Sequence, residues 1–161
     1  MLIRRLTIFD SLKTVKRNSS IKARPRGPAR RGSVVSALAA NEADDVVVVL
    51  VVEDDNFVRL DVADSLEEAG YAVIEAGSGE AAVALCNAGT AIDIIITDIN
   101  LGGSLSGWDV AECFRTVLPN MPVLYTSGER IDRARCVSGS AVLAKPCQNS
   151  DILKECQRLT Q

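Results

Sequence analysis

Seven apolar residues in a row, Val46 to Val52, run directly into three acids, Glu53, Asp54 and Asp55. An unbroken run of Val and Leu reads as a strand buried on both faces. Next, Val58, Val62, Leu66 and Ala69 recur at helical spacing, and Gly70 ends the stripe. "YAVIEA" predicts a second strand, and "SGEAAVALCNAG" a helix started by Ser78 and stopped by Gly89. "AIDIIITD" is a third strand and "GWDVAECFRTVL" a third helix, closed before Pro119 and Pro122. "PVLYTS" and "SAVLAK" are the fourth and fifth strands, and "NSDILKECQRL" is the last helix. Alternating strands and helices imply parallel strands joined by right-handed crossovers. The expected fold is therefore α/β: a doubly wound, five-stranded parallel sheet in the order 2-1-3-4-5, occupying residues 46–161.

Charge divides the chain near residue 45. Residues 1–40 hold ten Lys/Arg against one acid, a net +9, whereas residues 41–161 hold eight against twenty, a net −12. The segment "VKRNSSIKARPRGPARRGS" is rich in Arg, Pro, Gly and Ser. It has too little apolar surface to offset its ordering entropy, so residues 1–45 are expected to be a disordered basic extension. Leu2, Leu6, Phe9, Leu12 and Val15 recur among basic residues at near-helical spacing. That pattern suits weak contact with a nucleic acid or an anionic membrane, an import peptide, or a plain solvated extension. No apolar run approaches the roughly 18 residues that a membrane helix needs.

Composition excludes much chemistry. The chain has no histidine, which removes His-based triads, His metal ligands and any phosphohistidine role. Its five cysteines form no C-x-x-C pair, which favours free thiols in a reducing, cytoplasmic setting over a disulfide frame or zinc site.

In an open α/β sheet, ligands bind outside the carboxyl ends of the strands. Strand one ends on Glu53-Asp54-Asp55, strand three on Asp98, strand four on Thr126-Ser127 and strand five on Lys145-Pro146. Carboxylates, a hydroxyl and an ammonium thus converge. Crowded carboxylates are costly without a cation, and an all-oxygen donor set with room for water suits Mg²⁺. Asp98 is then a candidate nucleophile, because carboxylates form aspartyl phosphates. Taken singly, each residue has a simpler role: helix-start acids, turn residues, a solvated lysine. Their coincidence at four strand ends is what argues for a site.

The stretch Val46 to Leu159 resembles the receiver domain of two-component response regulators, a flavodoxin-like fold. "VLVVEDD", "DIIITDINLGG", "PVLYTSG" and "LAKP" carry the resemblance, in order and at sensible spacing. The resemblance implies Asp98 as phosphoacceptor, Asp54 as direct Mg²⁺ ligand, Glu53 as its water-mediated neighbour and Asn100 as donor of a backbone carbonyl. It implies Ser127 as the switch hydroxyl, Lys145 as the phosphate-contacting lysine, and a cis bond before Pro146. Asp55 has no role in that scheme and is expected to cap the following helix. Partners implied are a sensor histidine kinase or histidine phosphotransfer protein and a downstream protein target, with no direct DNA binding by the receiver.

Two features depart from the family. Val142 stands where an aromatic residue is usual, three before the lysine. The connection "GERIDRARCVSGSAVL" is short, has weak helical periodicity and is broken by Ser138-Gly139, so the fourth helix is expected to be short or irregular. Receivers found with HWE-type kinases of alphaproteobacteria look similar here. The expected function is a single-domain phosphorylation switch or a phosphate sink. A competing reading makes the basic extension the functional element, binding nucleic acid or membrane; the others are enzymes. "GSGEAA" fits the dinucleotide pattern G-x-G-x-x-A but follows the second strand rather than the first. A phosphatase using Asp98 would want an acid two residues on, where Asn100 stands.

Overall fold

The computed structural model describes residues 46–161. The basic extension expected over residues 1–45 lies outside the described residues. Five strands, β1 (Val48–Val52), β2 (Ala72–Ala76), β3 (Ile94–Asp98), β4 (Val123–Ser127) and β5 (Ala141–Ala144), form one parallel sheet in the order β2-β1-β3-β4-β5. The helices are α1 (Asn56–Glu68), α2 (Gly79–Asn87), α3 (Gly107–Val117) and α4 (Asn149–Leu159). The expected doubly wound order is what the chain adopts.

The sheet has an apolar layer on each side, which is why its strands lack polar alternation. Leu50, Val52, Ile95, Val123 and Tyr125 face α2 and α3, packing with Ala82, Val110 and Phe114. Val49, Val51, Ile94, Ile96 and Leu124 face the other way, packing with Val62, Leu66, Ile152 and Cys156 of α1 and α4. Helix starts follow their caps. Asp55 accepts from the backbone N–H groups of Phe57 and Val58, Ser78 from Ala81, and Ser106 forms a capping box with Asp109. The role expected for Asp55 is therefore the one it has.

Between β4 and β5 there is no α-helix, only a single 3₁₀ turn over Arg133–Arg135. This is the irregularity that "GERIDRARCVSGS" foreshadowed. Its few apolar residues make no continuous stripe to bury, and Gly139 takes a left-handed conformation at φ +75°. The Lys145–Pro146 bond is cis, as expected. Among the described residues no helix is long and apolar enough to cross a membrane.

Candidate functional site

Adjacent strands place the charged residues together. Glu53 follows β1, Asp98 ends β3, and Lys145 follows β5. The Lys145 ammonium donates to Glu53 Oε2 at 2.7 Å and to Asp98 Oδ2 at 2.5 Å. Glu53 and Asp98 are only 6% and 9% exposed, so these bonds lie in a site largely shut off from bulk water. Burial pushes the Glu53 carboxyl above its ordinary value of 4.5, and the bond and charge of Lys145 only partly offset this. For Lys145, burial alone would favour loss of its proton. The two carboxylates outweigh it and hold the ammonium above its ordinary value of 10.5.

Asp54 completes the acidic group from the exposed side. Glu53, Asp54 and Asp98 can each offer one carboxylate oxygen, all within 4.8 Å of one another. Three hard oxygen donors, one open to solvent, fit a small divalent cation that keeps several waters. Asp54 Oδ2 accepts from the N–H of Gly102 at 3.2 Å, and Asp98 Oδ1 from the N–H of Asn100 at 3.0 Å. The loop after β3 thereby holds both carboxylates.

Ser127 ends β4, next to Thr126, which pairs with Asp98 in register. Its hydroxyl accepts from the N–H of Glu129 at 3.1 Å, so it is tied to its own loop rather than to Asp98. A cleft of about 510 Å³ opens beside Asp98, lined on its apolar side by Val58, Val62, Ile96, Pro146 and Ile152.

Several supporting residues escaped the sequence reading. Arg59 reaches back from α1 to the Glu53 carbonyl at 2.6 Å and to Glu75 at 3.2 Å, clamping the ends of β1 and β2. Glu80 accepts from the N–H and hydroxyl of Ser104 at 2.9 and 2.7 Å, tying the loop after β3 to the first turn of α2. A Cβ on Gly107 would collide with the Asp98 carbonyl, so only glycine lets α3 start this close to the site. Gly79, the second glycine of "GSGEAA", is likewise set by packing, since a Cβ there would meet Leu105 at 2.7 Å. The sequence marks Tyr125 only as a strand residue. Its hydroxyl in fact accepts from the N–H of Val137 at 3.4 Å. A helix-start glycine or a strand tyrosine has no local sequence mark that separates such a role from ordinary packing.

Comparison with known proteins points one way. The profile of the response regulator receiver domain matches residues 49–157. The transcriptional regulatory protein PdtaR of Mycobacterium tuberculosis is 34% identical over 109 residues, covering 65% of this chain and 52% of that protein. The response regulator protein FleR of Pseudomonas aeruginosa is 36% identical over 87 residues, covering 53% of this chain and 18% of FleR. The chain thus spans about half the length, or less, of these curated relatives. Among solved structures, a response regulator receiver protein from Sinorhizobium medicae superposes with a TM-score of 0.70 at 31% identity, covering 73% of this chain and 97% of that one. The chemotaxis protein CheY4 of Vibrio cholerae gives 0.64 at 28% identity, covering 71% and 98%.

Proposed function

The chain belongs to the response regulator receiver domain family, and from that premise we propose that it is a phosphorylation switch whose phosphoacceptor is Asp98. The observation that carries this reading is the Lys145 ammonium held between Glu53 and Asp98, at 2.7 and 2.5 Å, beside the exposed Asp54. The donor is a phosphohistidine of a sensor kinase or phosphotransfer protein. An Asp98 carboxylate oxygen forms the new O–P bond while the P–N bond breaks and the imidazole leaves. Lys145 already contacts the carboxylate and is placed to bond an oxygen of the incoming group. Ser127 exchanges its bond with Glu129 for one to another phosphoryl oxygen.

Receiver domains generally bind Mg²⁺ at such acids, and the donor set here fits it. Asp54 and Asp98 would hold the ion directly, Glu53 through water, with the Asn100 carbonyl completing the shell. When bound, the ion offsets the negative charge of carboxylates and phosphoryl oxygens. A protein donor would approach Asp98 across the cleft, which Val58, 40% exposed, lines near the start of α1. The basic segment within residues 1–45 supports a separate contact with a nucleic acid or anionic membrane. Such binding falls steeply with salt and survives Asp98→Ala.

The test is incubation with acetyl phosphate and Mg²⁺, followed by intact-mass measurement. One phosphoryl group is expected on the wild-type chain and none on Asp98→Ala. Full labelling of the mutant would overturn the assignment.

A further inference from the structure

The connection from β4 to β5 lacks a helix, yet it is held at defined points. Ile131, Cys136 and Val137 pack on the same core cluster as Tyr125. Arg115 of α3 donates to the Ser138 carbonyl at 2.7 Å, and the Arg135 guanidinium stacks 4.0 Å over the ring of Trp108. The remaining two ties both come from β4. Ser127 Oγ accepts from the N–H of Glu129, and Tyr125 Oη from the N–H of Val137.

Ser127 and Tyr125 are two residues apart on one strand, so their side chains leave the same face. Tyr125 is fully buried and lies in register with Val142, the position where the family usually carries its aromatic residue. A large ring is therefore present, on the neighbouring strand. Burial pushes the phenol up to about 12, so it stays protonated near neutral pH, and its oxygen accepts from the connection at Val137. β4 is paired on both sides, which makes it a rigid base for the two ties.

We propose that Tyr125 is a positioning residue, the pivot of the phosphorylation response, with its hydroxyl seating the β4–β5 connection at Val137. This rests on the reading of Asp98 as phosphoacceptor. When Ser127 turns toward the phosphoryl group, it releases Glu129. The connection is then free at its first end and still seated at Val137, so the chain between them moves about that point. The two ties are eight residues apart along the connection but only two apart on the strand, so a hydroxyl rotation moves a long stretch of backbone. Tyr125 does for this chain, from β4, what a rotating ring on β5 cannot do with Val142 in its place.

Amide exchange on the full chain tests this, with and without Mg²⁺ and beryllium fluoride as the phosphoryl mimic, in wild type, Tyr125→Phe and Tyr125→Leu. In wild type the mimic changes exchange over residues 129–136 and leaves the Val137 amide protected. Tyr125→Phe keeps the ring and removes the acceptor. It speeds Val137 exchange about fivefold without the mimic, the loss of one hydrogen bond worth about 1 kcal/mol, and the mimic's response then spreads through residues 137–140. If Phe behaves as Tyr and only Leu alters exchange, ring packing alone holds the connection and the pivot is overturned. Intact mass on the same samples separates the two readings. Failure of wild type to label with acetyl phosphate overturns the phosphoacceptor reading and the coupling with it. Normal labelling with unchanged Val137 exchange in Tyr125→Phe overturns the pivot alone.

Discussion

Lys145 separates two carboxylates that would otherwise face each other in a site of low polarity. Removing one partner of such a group costs more than the pair itself contributes, because the remaining charges stay buried. Lys145→Met is therefore expected to lower stability by about 2 kcal/mol without metal, less than a fully buried pair would lose. Saturating Mg²⁺ should recover most of that loss in a thermal melt. An equal deficit with and without Mg²⁺ would show that the lysine acts only by packing. Asp54 and Asp55 are neighbours with different work. Asp54→Asn should weaken Mg²⁺ binding in calorimetry, whereas Asp55→Asn should leave it intact and keep an acceptor for the helix cap. Asp55→Ala loses that acceptor and should cost about 1 kcal/mol in denaturant unfolding. Equal metal affinity in the Asp54 and Asp55 variants would mean that Asp54 is not the direct ligand.

The loop from β3 to α3 is strung between carboxylates of two other elements. Asp54 takes the Gly102 N–H and Glu80 takes Ser104. The hydrogen bonds from the Ser104 hydroxyl and N–H hold the Glu80 carboxyl down to about 2. A depressed folded value means that this tie contributes stability above the ordinary value of 4.5 and loses it as pH falls toward about 2. Carboxyl chemical shifts followed by NMR should show Glu80 titrating near that lower value in the wild type. In Ser104→Ala its midpoint should move up toward 4.5. A wild-type midpoint already at the ordinary value would mean that Glu80 is free and the loop is held by Asp54 alone. The starts of α1 and α2 were legible because Asp55 and Ser78 cap locally. The loop's anchors were not, because Glu80 and Ser104 are 24 residues apart and neither flags the other.

Taken entire, the chain joins a basic segment to an acidic α/β unit, and we propose that the boundary at residue 45 leaves that unit self-sufficient. Among the described residues, the sheet carries an apolar layer on each face. A fragment of residues 46–161 is expected to melt within about 2 °C of the full chain and to gain the same stabilisation from Mg²⁺, since ligand linkage acts on the folded unit alone. A markedly lower melting temperature in the fragment would place part of residues 1–45 in the packing.

The order of elements, the parallel sheet and the four strand ends that carry Glu53, Asp98, Ser127 and Lys145 were all readable from residue order. Continuous Val and Ile runs, glycine stops and Ser or Asp caps are local signals, and each acts within a few positions of itself. A short or irregular fourth helix was readable for the same reason, since "GERIDRARCVSGS" has weak periodicity; that only a 3₁₀ turn over Arg133–Arg135 remains was not. Only tertiary structure decided that Lys145 bridges Glu53 and Asp98 at once, since Lys145 and Glu53 are 92 residues apart. It also decided that Arg59 clamps two strand ends, that Ser127 first serves Glu129, and that Tyr125 seats Val137. Those choices depend on which side chains the sheet order brings within about 3 Å, the reach of a hydrogen bond, and at that range position in space rather than position in the chain selects the partner.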